Sequence, residues 1–163
     1  MRGDEPCYPT DKLTSRLQDG VLKGANGAVL TTDGGAIVQY IHTCYRVLDL
    51  DRSIDFYTNK LGLELARKVP IGDDATNAFL AVPGDPEPRL ELTLNHGREE
   101  PYALGEGYSH VAFAVEDLDA LAEKLEEAGG VDFESKPHAM GSGTRIFFVR
   151  DPDGYRIEFI ERN

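Results

Sequence analysis

Two stretches of this chain are written to one plan. "HTCYRVLDLD" runs from His42 to Asp51 and "HVAFAVEDLD" from His110 to Asp119, and both read His, four residues, Val, one residue, Asp-Leu-Asp. A glycine stands twenty residues after each histidine, Gly62 and Gly130. Glu91 of "LELTL" lies 49 residues after His42, and Glu158 of "RIEFI" lies 48 residues after His110. Features recurring in one order at nearly one spacing mark a duplicated unit, so neither half is expected to fold as an unrelated domain. The modules span about 38–97 and 107–163, within a domain of 38–163. Residues 1–37 mix Pro, Gly, Asp and Thr without a sustained period and read as a flexible or spurious extension, with neither the basic start nor the apolar centre of a secretory signal.

Each module reads as strand, helix and three further strands. In the first, "VQYIHTCYRV" is a strand and Asp49 or Asp51 caps a helix that carries Leu50, Ile54, Tyr57 and Leu61 on one face and stops at Gly62. "LELARKV", "NAFLAV" and "RLELTLN" follow as strands. The second helix has Leu118, Leu121, Ala122 and Leu125 along one stripe and is closed by Gly129-Gly130. "TRIFFV" and "YRIEFIE" form a hairpin across "DPDG". The fold class is α+β: tandem βαβββ modules, with mixed sheets cupped and the helices packed outside.

Strand alternation sorts the polar residues. Leu90, Leu92 and Leu94 share one face and Glu91, Thr93 and Asn95 the other. His42, Cys44 and Arg46 go together, and Arg156, Glu158 and Ile160 face away from Tyr155, Ile157 and Phe159. Each module thus offers one His and one Glu on the face its own helix does not cover. A carboxylate between apolar neighbours such as Ile157 and Phe159 is costly to cover unless positive charge meets it. Two imidazoles and two carboxylates suit a borderline divalent transition metal, six-coordinate with water completing the shell. His42, Glu91, His110 and Glu158 are the candidate ligands. His96 and His138 lie outside the repeat and read as surface or loop residues, His96 close to the rim of the site. Cys44 reads as a small core residue.

The chain from about Ile41 to Glu161 resembles the vicinal oxygen chelate superfamily and, within it, glyoxalase I. The resemblance rests on "HTCYRVLDLDRSIDFYTNKLGLEL", "LELTLNHG", "YSHVAFAVEDLD" and "FVRDPDGYRIEFIE". It implies a lyase that isomerises the hemithioacetal of methylglyoxal and glutathione to S-lactoylglutathione, by proton transfer through an enediolate held on a metal. It further implies ligation by His42, Glu91, His110 and Glu158, with Ni2+ or Co2+ favoured by the compact core and Zn2+ the other choice. Glu158 would be the base, with Glu91 in the mirrored role, and Arg46 and Asn95 would hold the γ-glutamyl end of glutathione. Family members with a single module pair form homodimers whose sites lie at the interface. One position departs from the pattern: Met140 falls where a basic residue often meets the glycine carboxylate, with Lys136 or Arg145 as substitutes.

The net charge of −12 argues against nucleic-acid binding, and no apolar run in the sequence is long enough to span a membrane. Two cysteines, Cys7 and Cys44, are too few for a disulfide framework and point to reduced thiols in the cytoplasm. Four readings compete with glyoxalase I: an epimerase, an extradiol dioxygenase, a thiol transferase, and a non-catalytic small-molecule binding module. The epimerases carry Gln where this chain has Glu91, the dioxygenases and transferases leave Glu91 unexplained, and the binding modules lack the four ligands.

Overall fold

The computed structural model describes residues 40–162 apart from 86 and 142, together with two short strands nearer the N-terminus. Those strands, β1 (Leu22–Lys23) and β2 (Val29–Leu30), pair antiparallel. The expectation of a loose extension over 1–37 otherwise lies outside the described residues.

From Thr43 onward the duplication is visible as topology. The first module is β3 (Thr43–Val47), helix α1 (Leu50–Asp55), β4 (Glu64–Ile71), β5 (Ala75–Ala81) and β6 (Leu90–Asn95), with strand order β3-β6-β5-β4. The second is β7 (Val111–Val115), α2 (Leu118–Ala128), β8 (Asp132–Phe133), β9 (His138–Ala139), β10 (Arg145–Arg150) and β11 (Arg156–Glu161), ordered β7-β11-β10-β8 with β9 also on β10. In each sheet the first strand pairs with the last in parallel and the rest are antiparallel. The strand expected after α2 is broken into β8 and β9. Pro137 lies in the gap, where it can donate no ladder hydrogen bond.

Both helices start on the aspartate after a strand. Asp49 accepts from Arg52 N at 3.0 Å and Asp117 from Ala120 N at 2.9 Å, each answering one amide that the helix itself leaves unpaired. The first helix departs from expectation after one turn and a half: Phe56–Lys60 widens into a π-turn. The adjacent Phe56 and Tyr57 at its start are both in the core. Gly62, at φ +85°, then reverses the chain in a conformation that side chains disfavour.

One core serves both modules. Tyr45, Val47 and Leu92 of the first sheet and Phe147, Val149 and Ile157 of the second are fully buried, together with Leu118 and Leu125 of α2. The β10–β11 turn "DPDG" locks the modules together. Asp153 accepts Leu48 N (2.9 Å) and Ser53 Oγ (3.1 Å), and Asp151 accepts Tyr57 Oη at 2.8 Å. Tyr155 stacks on Tyr45 with ring centroids 4.2 Å apart, and the Tyr45 hydroxyl bonds that of Tyr108. Both apolar sheet faces are spent on this core, which leaves both polar faces outside it.

Asp151 is buried, and removal from water pushes its carboxyl from 3.8 to about 6 despite hydrogen bonds from Tyr57, Tyr155 N and Asp153 N. A carboxyl raised on folding contributes stability that is complete below its unfolded value and is lost as pH rises through the folded one. Asp151→Asn keeps an oxygen for the two amides and carries no charge. Its unfolding free energy relative to wild type should therefore rise between pH 4 and pH 7, by up to about 3 kcal/mol. A difference that stays constant across that range, in urea titrations at several pH values, contradicts this account.

Candidate functional site

His42 and His110 each sit one residue before a strand, where parallel pairing aims them diagonally at the last strand of the same module. Thr43 is opposite Leu90 and Cys44 opposite Glu91, while Val111 is opposite Ile157 and Ala112 opposite Glu158. The two modules share this register, and the same contact results twice. His42 Nε2 lies 2.8 Å from Glu91 Oε2, and His110 Nε2 lies 3.0 Å from Glu158 Oε2. The carboxylates are the more enclosed partners, with side chains 10% and 15% exposed. An imidazole nitrogen and a carboxylate oxygen this close need a proton or a cation to hold them together.

Each pair stays within its own module. Among the described residues no group of three or more His, Cys, Asp or Glu side chains is placed to hold a metal ion. The four candidate ligands thus stand as two matched His–Glu pairs in one chain.

The sequence did not signal the surroundings of the pairs. Phe79, opposite Glu91, meets the His42 ring edge-on at 5.8 Å, and Phe148, opposite Glu158, meets His110 at 5.4 Å. A guanidinium lies over each phenylalanine: Arg67 at 4.0 Å from the Phe79 centroid and Arg156 at 4.5 Å from that of Phe148. The glutamates differ in their hydrogen bonds. Glu91 Oε1 accepts from Asn77 Nδ2 at 2.7 Å and lies 3.0 Å from the Thr93 hydroxyl. Glu158 has His110 as its one polar contact within hydrogen-bond distance among the described residues. His110 Nδ1 in turn meets Ser109 Oγ at 2.8 Å, a contact that orients the ring.

Arg46 and Asn95 flank the first pair on the same face, as strand alternation requires. Asn95 Nδ2 donates to Tyr102 Oη at 3.0 Å. One expectation needs correction. Cys44 is exposed on this face, 3.3 Å from Thr93 Oγ1, because it alternates with the buried Tyr45 and Val47 and cannot also enter the core. Of the two basic residues near Met140, Lys136 meets Glu126 and the Phe133 ring, and Arg145 meets Asp119 (2.8 Å) and Glu161 (3.2 Å). His96 is exposed in the turn after β6, as expected of a surface or loop residue, with both ring nitrogens bonded, to Thr76 Oγ1 and the Asp73 carbonyl.

The sequence profile of the Glyoxalase/Bleomycin resistance protein/Dioxygenase superfamily matches residues 39–159. The chain belongs to that superfamily. It is 44% identical to the lactoylglutathione lyase of Haemophilus influenzae over 127 residues, which are 76% of this chain and 93% of that protein. It is 42% identical to the lactoylglutathione lyase of Oryza sativa over 75% of its own length but 43% of the rice protein. The chain thus spans less than half the length of such plant relatives. The crystal structure of glyoxalase I from Zea mays superposes with a TM-score of 0.68 at 39% identity, covering 76% of this chain and 44% of that one. The tandem mixed sheets with helices outside are those of this superfamily. No helix among the described residues is long and apolar enough to cross a membrane.

Asn77 is the residue that ties Glu91 in place. Asn77→Ala removes a hydrogen bond to a charged acceptor and should lower stability by about 1–2 kcal/mol in urea unfolding. Asn77→Asp sets a second carboxylate against Glu91 and should cost more. Equal losses for the two variants would show that the Asn77–Glu91 contact carries no electrostatic weight.

Proposed function

We propose that this chain is a lactoylglutathione lyase, isomerising the hemithioacetal of methylglyoxal and glutathione to S-lactoylglutathione. The observation that carries the reading is the pair of matched His–Glu contacts on the open sheet faces, in a chain whose relatives bear that name.

The residues fit a divalent cation. Two imidazole nitrogens and two carboxylates form a mixed N/O donor set. Each histidine already faces its glutamate through Nε2, and Asn77 and Ser109 supply the outer contacts that ligands of this kind need. Since one chain holds the donors as separate pairs, a second copy would complete the set: His42 and Glu91 of one subunit with His110 and Glu158 of the other. The reading therefore includes a homodimer with its sites at the interface. Nickel or cobalt is preferred to zinc, on the compact module core. When bound, the cation supplies Lewis acidity to the two adjacent substrate oxygens and neutralises the glutamates.

Glu158 is assigned as the base. Its carboxylate, free of the clamp that Asn77 and Thr93 place on Glu91, takes the proton from the sulfur-bearing carbon and returns it to the neighbouring carbon. General base assistance of this kind contributes ~10²–10⁴-fold. Arg46 pairs with the α-carboxylate of the γ-glutamyl group, and Asn95 holds the same end. The exposed thiol of Cys44 suits a reducing compartment, and we place the protein in the cytoplasm.

Metal-stripped protein reloaded with nickel, cobalt or zinc should convert methylglyoxal plus glutathione to thioester, fastest with nickel or cobalt, while stripped protein should not. Glu158→Gln should lose at least ~100-fold in kcat and keep the wild-type melting curve. Failure with all three metals contradicts the reaction, and near-wild-type turnover by Glu158→Gln contradicts the role of that residue.

A further inference from the structure

The two His–Glu pairs match, but the ladder positions beside them do not. In the first module Glu91 is opposite Phe79 and Thr93 is opposite Asn77. In the second, Glu158 is opposite Phe148 and Ile160 is opposite Ile146. The first module therefore sets an amide and a hydroxyl where the second sets two hydrocarbon side chains. Neither isoleucine belongs to the core cluster, in keeping with places on the open face beside Glu158.

The consequence is an unequal hold on the two carboxylates. Glu91 is engaged through both oxygens: Oε2 faces His42 Nε2, while Oε1 accepts from Asn77 Nδ2 at 2.7 Å and lies 3.0 Å from the Thr93 hydroxyl. That hydroxyl also lies 3.1 Å from Asn77 Oδ1 and 3.3 Å from Cys44 Sγ, so the strands on both sides of β6 brace it. To turn away, Glu91 would have to give up part-buried hydrogen bonds to a charged acceptor, which are among the stronger ones. Glu158 meets His110 through Oε2, and its other oxygen has no polar partner among the described residues. That oxygen can turn toward a substrate without breaking a bond, and the flanking hydrocarbon offers it nothing to stay for.

We propose that Asn77 and Thr93 are positioning residues that fix Glu91 as the standing carboxylate, and that Ile146 and Ile160 leave Glu158 free to carry the proton. Two glutamates on one framework are thus given different work by the residues beside them, and moving those residues exchanges the roles. This rests on the lactoylglutathione lyase reading and goes beyond it by naming what decides which glutamate is the base.

The test releases Glu91 with Asn77→Leu plus Thr93→Val, in wild type and in Glu158→Gln. Nickel affinity, read by competition with a coloured chelator, should fall at least about tenfold on release, and Thr93→Ser in place of Thr93→Val should recover part of it. In the Glu158→Gln protein the same release should raise kcat about tenfold, because the freed Glu91 takes the proton from the sulfur-bearing carbon and returns it to the neighbouring carbon. The converse graft, Ile146→Asn with Ile160→Thr in wild type, should lower kcat about tenfold with KM within about twofold. Melting curves show which variants are folded. If the double release is not, Thr93→Val alone, which keeps the side-chain shape, should give a smaller change of the same sign. Unchanged nickel affinity on release, or no rescue of Glu158→Gln in folded, nickel-loaded protein, overturns the proposal while wild-type turnover keeps the reaction standing. Wild type without turnover overturns the underlying reading and with it the division of roles.

Discussion

Everything distinctive in this structure follows from the parallel pairing of the first and last strands in each module. That pairing is the one parallel ladder of the unit, and it closes a chain segment of about fifty residues around a helix that must cover one sheet face. Once the register sets Cys44 against Glu91 and Ala112 against Glu158, the histidine just before each strand has one neighbour it can reach on the open face, and that neighbour is a glutamate. Slipping either ladder by one residue would send His and Glu to opposite sides and break the core as well. Stability and site geometry therefore depend on the same hydrogen bonds.

The junction between modules decides which faces remain for chemistry. Tyr57, Ser53 and Leu48 of the first module are held by the two aspartates of the β10–β11 turn, and the apolar faces of both sheets are used up in one core. Two polar faces are left, each carrying one His–Glu pair. Divided in this way, neither pair asks the chain to bury opposing carboxylates against one another within a single module. In the proposed reading, a cation and a second copy bring the two pairs together.

Much of this was legible in the sequence because the repeat and the strand period point to the same residues. The spacings of 49 and 48 residues located the His–Glu pairs, and alternation placed Arg46 and Asn95 beside them. What escaped had physical causes. Phe79 and Phe148 stand 12 and 10 residues before their glutamates, so the repeat blurs there, and a phenylalanine in a strand ordinarily reads as core. Arg67 depends on a bulge that leaves no mark in composition. The π-turn in the first helix changes period partway along, and the division of one strand at Pro137 hides half of the second module's pattern. Cys44 was misread by weighing residue type above its position between two core residues.

The central claim is that a working centre joins His42 and Glu91 of one subunit to His110 and Glu158 of another. Complementation tests it most directly. One variant carries His42→Ala with Glu91→Gln, the other His110→Ala with Glu158→Gln, and each alone should be inactive and bind metal poorly. Unfolded and refolded together in equal amounts, they should regain about a quarter of wild-type activity and bound metal, because half the dimers are mixed and each has one intact site. A mixture that stays as inactive as its parts, despite forming mixed dimers, would contradict the account.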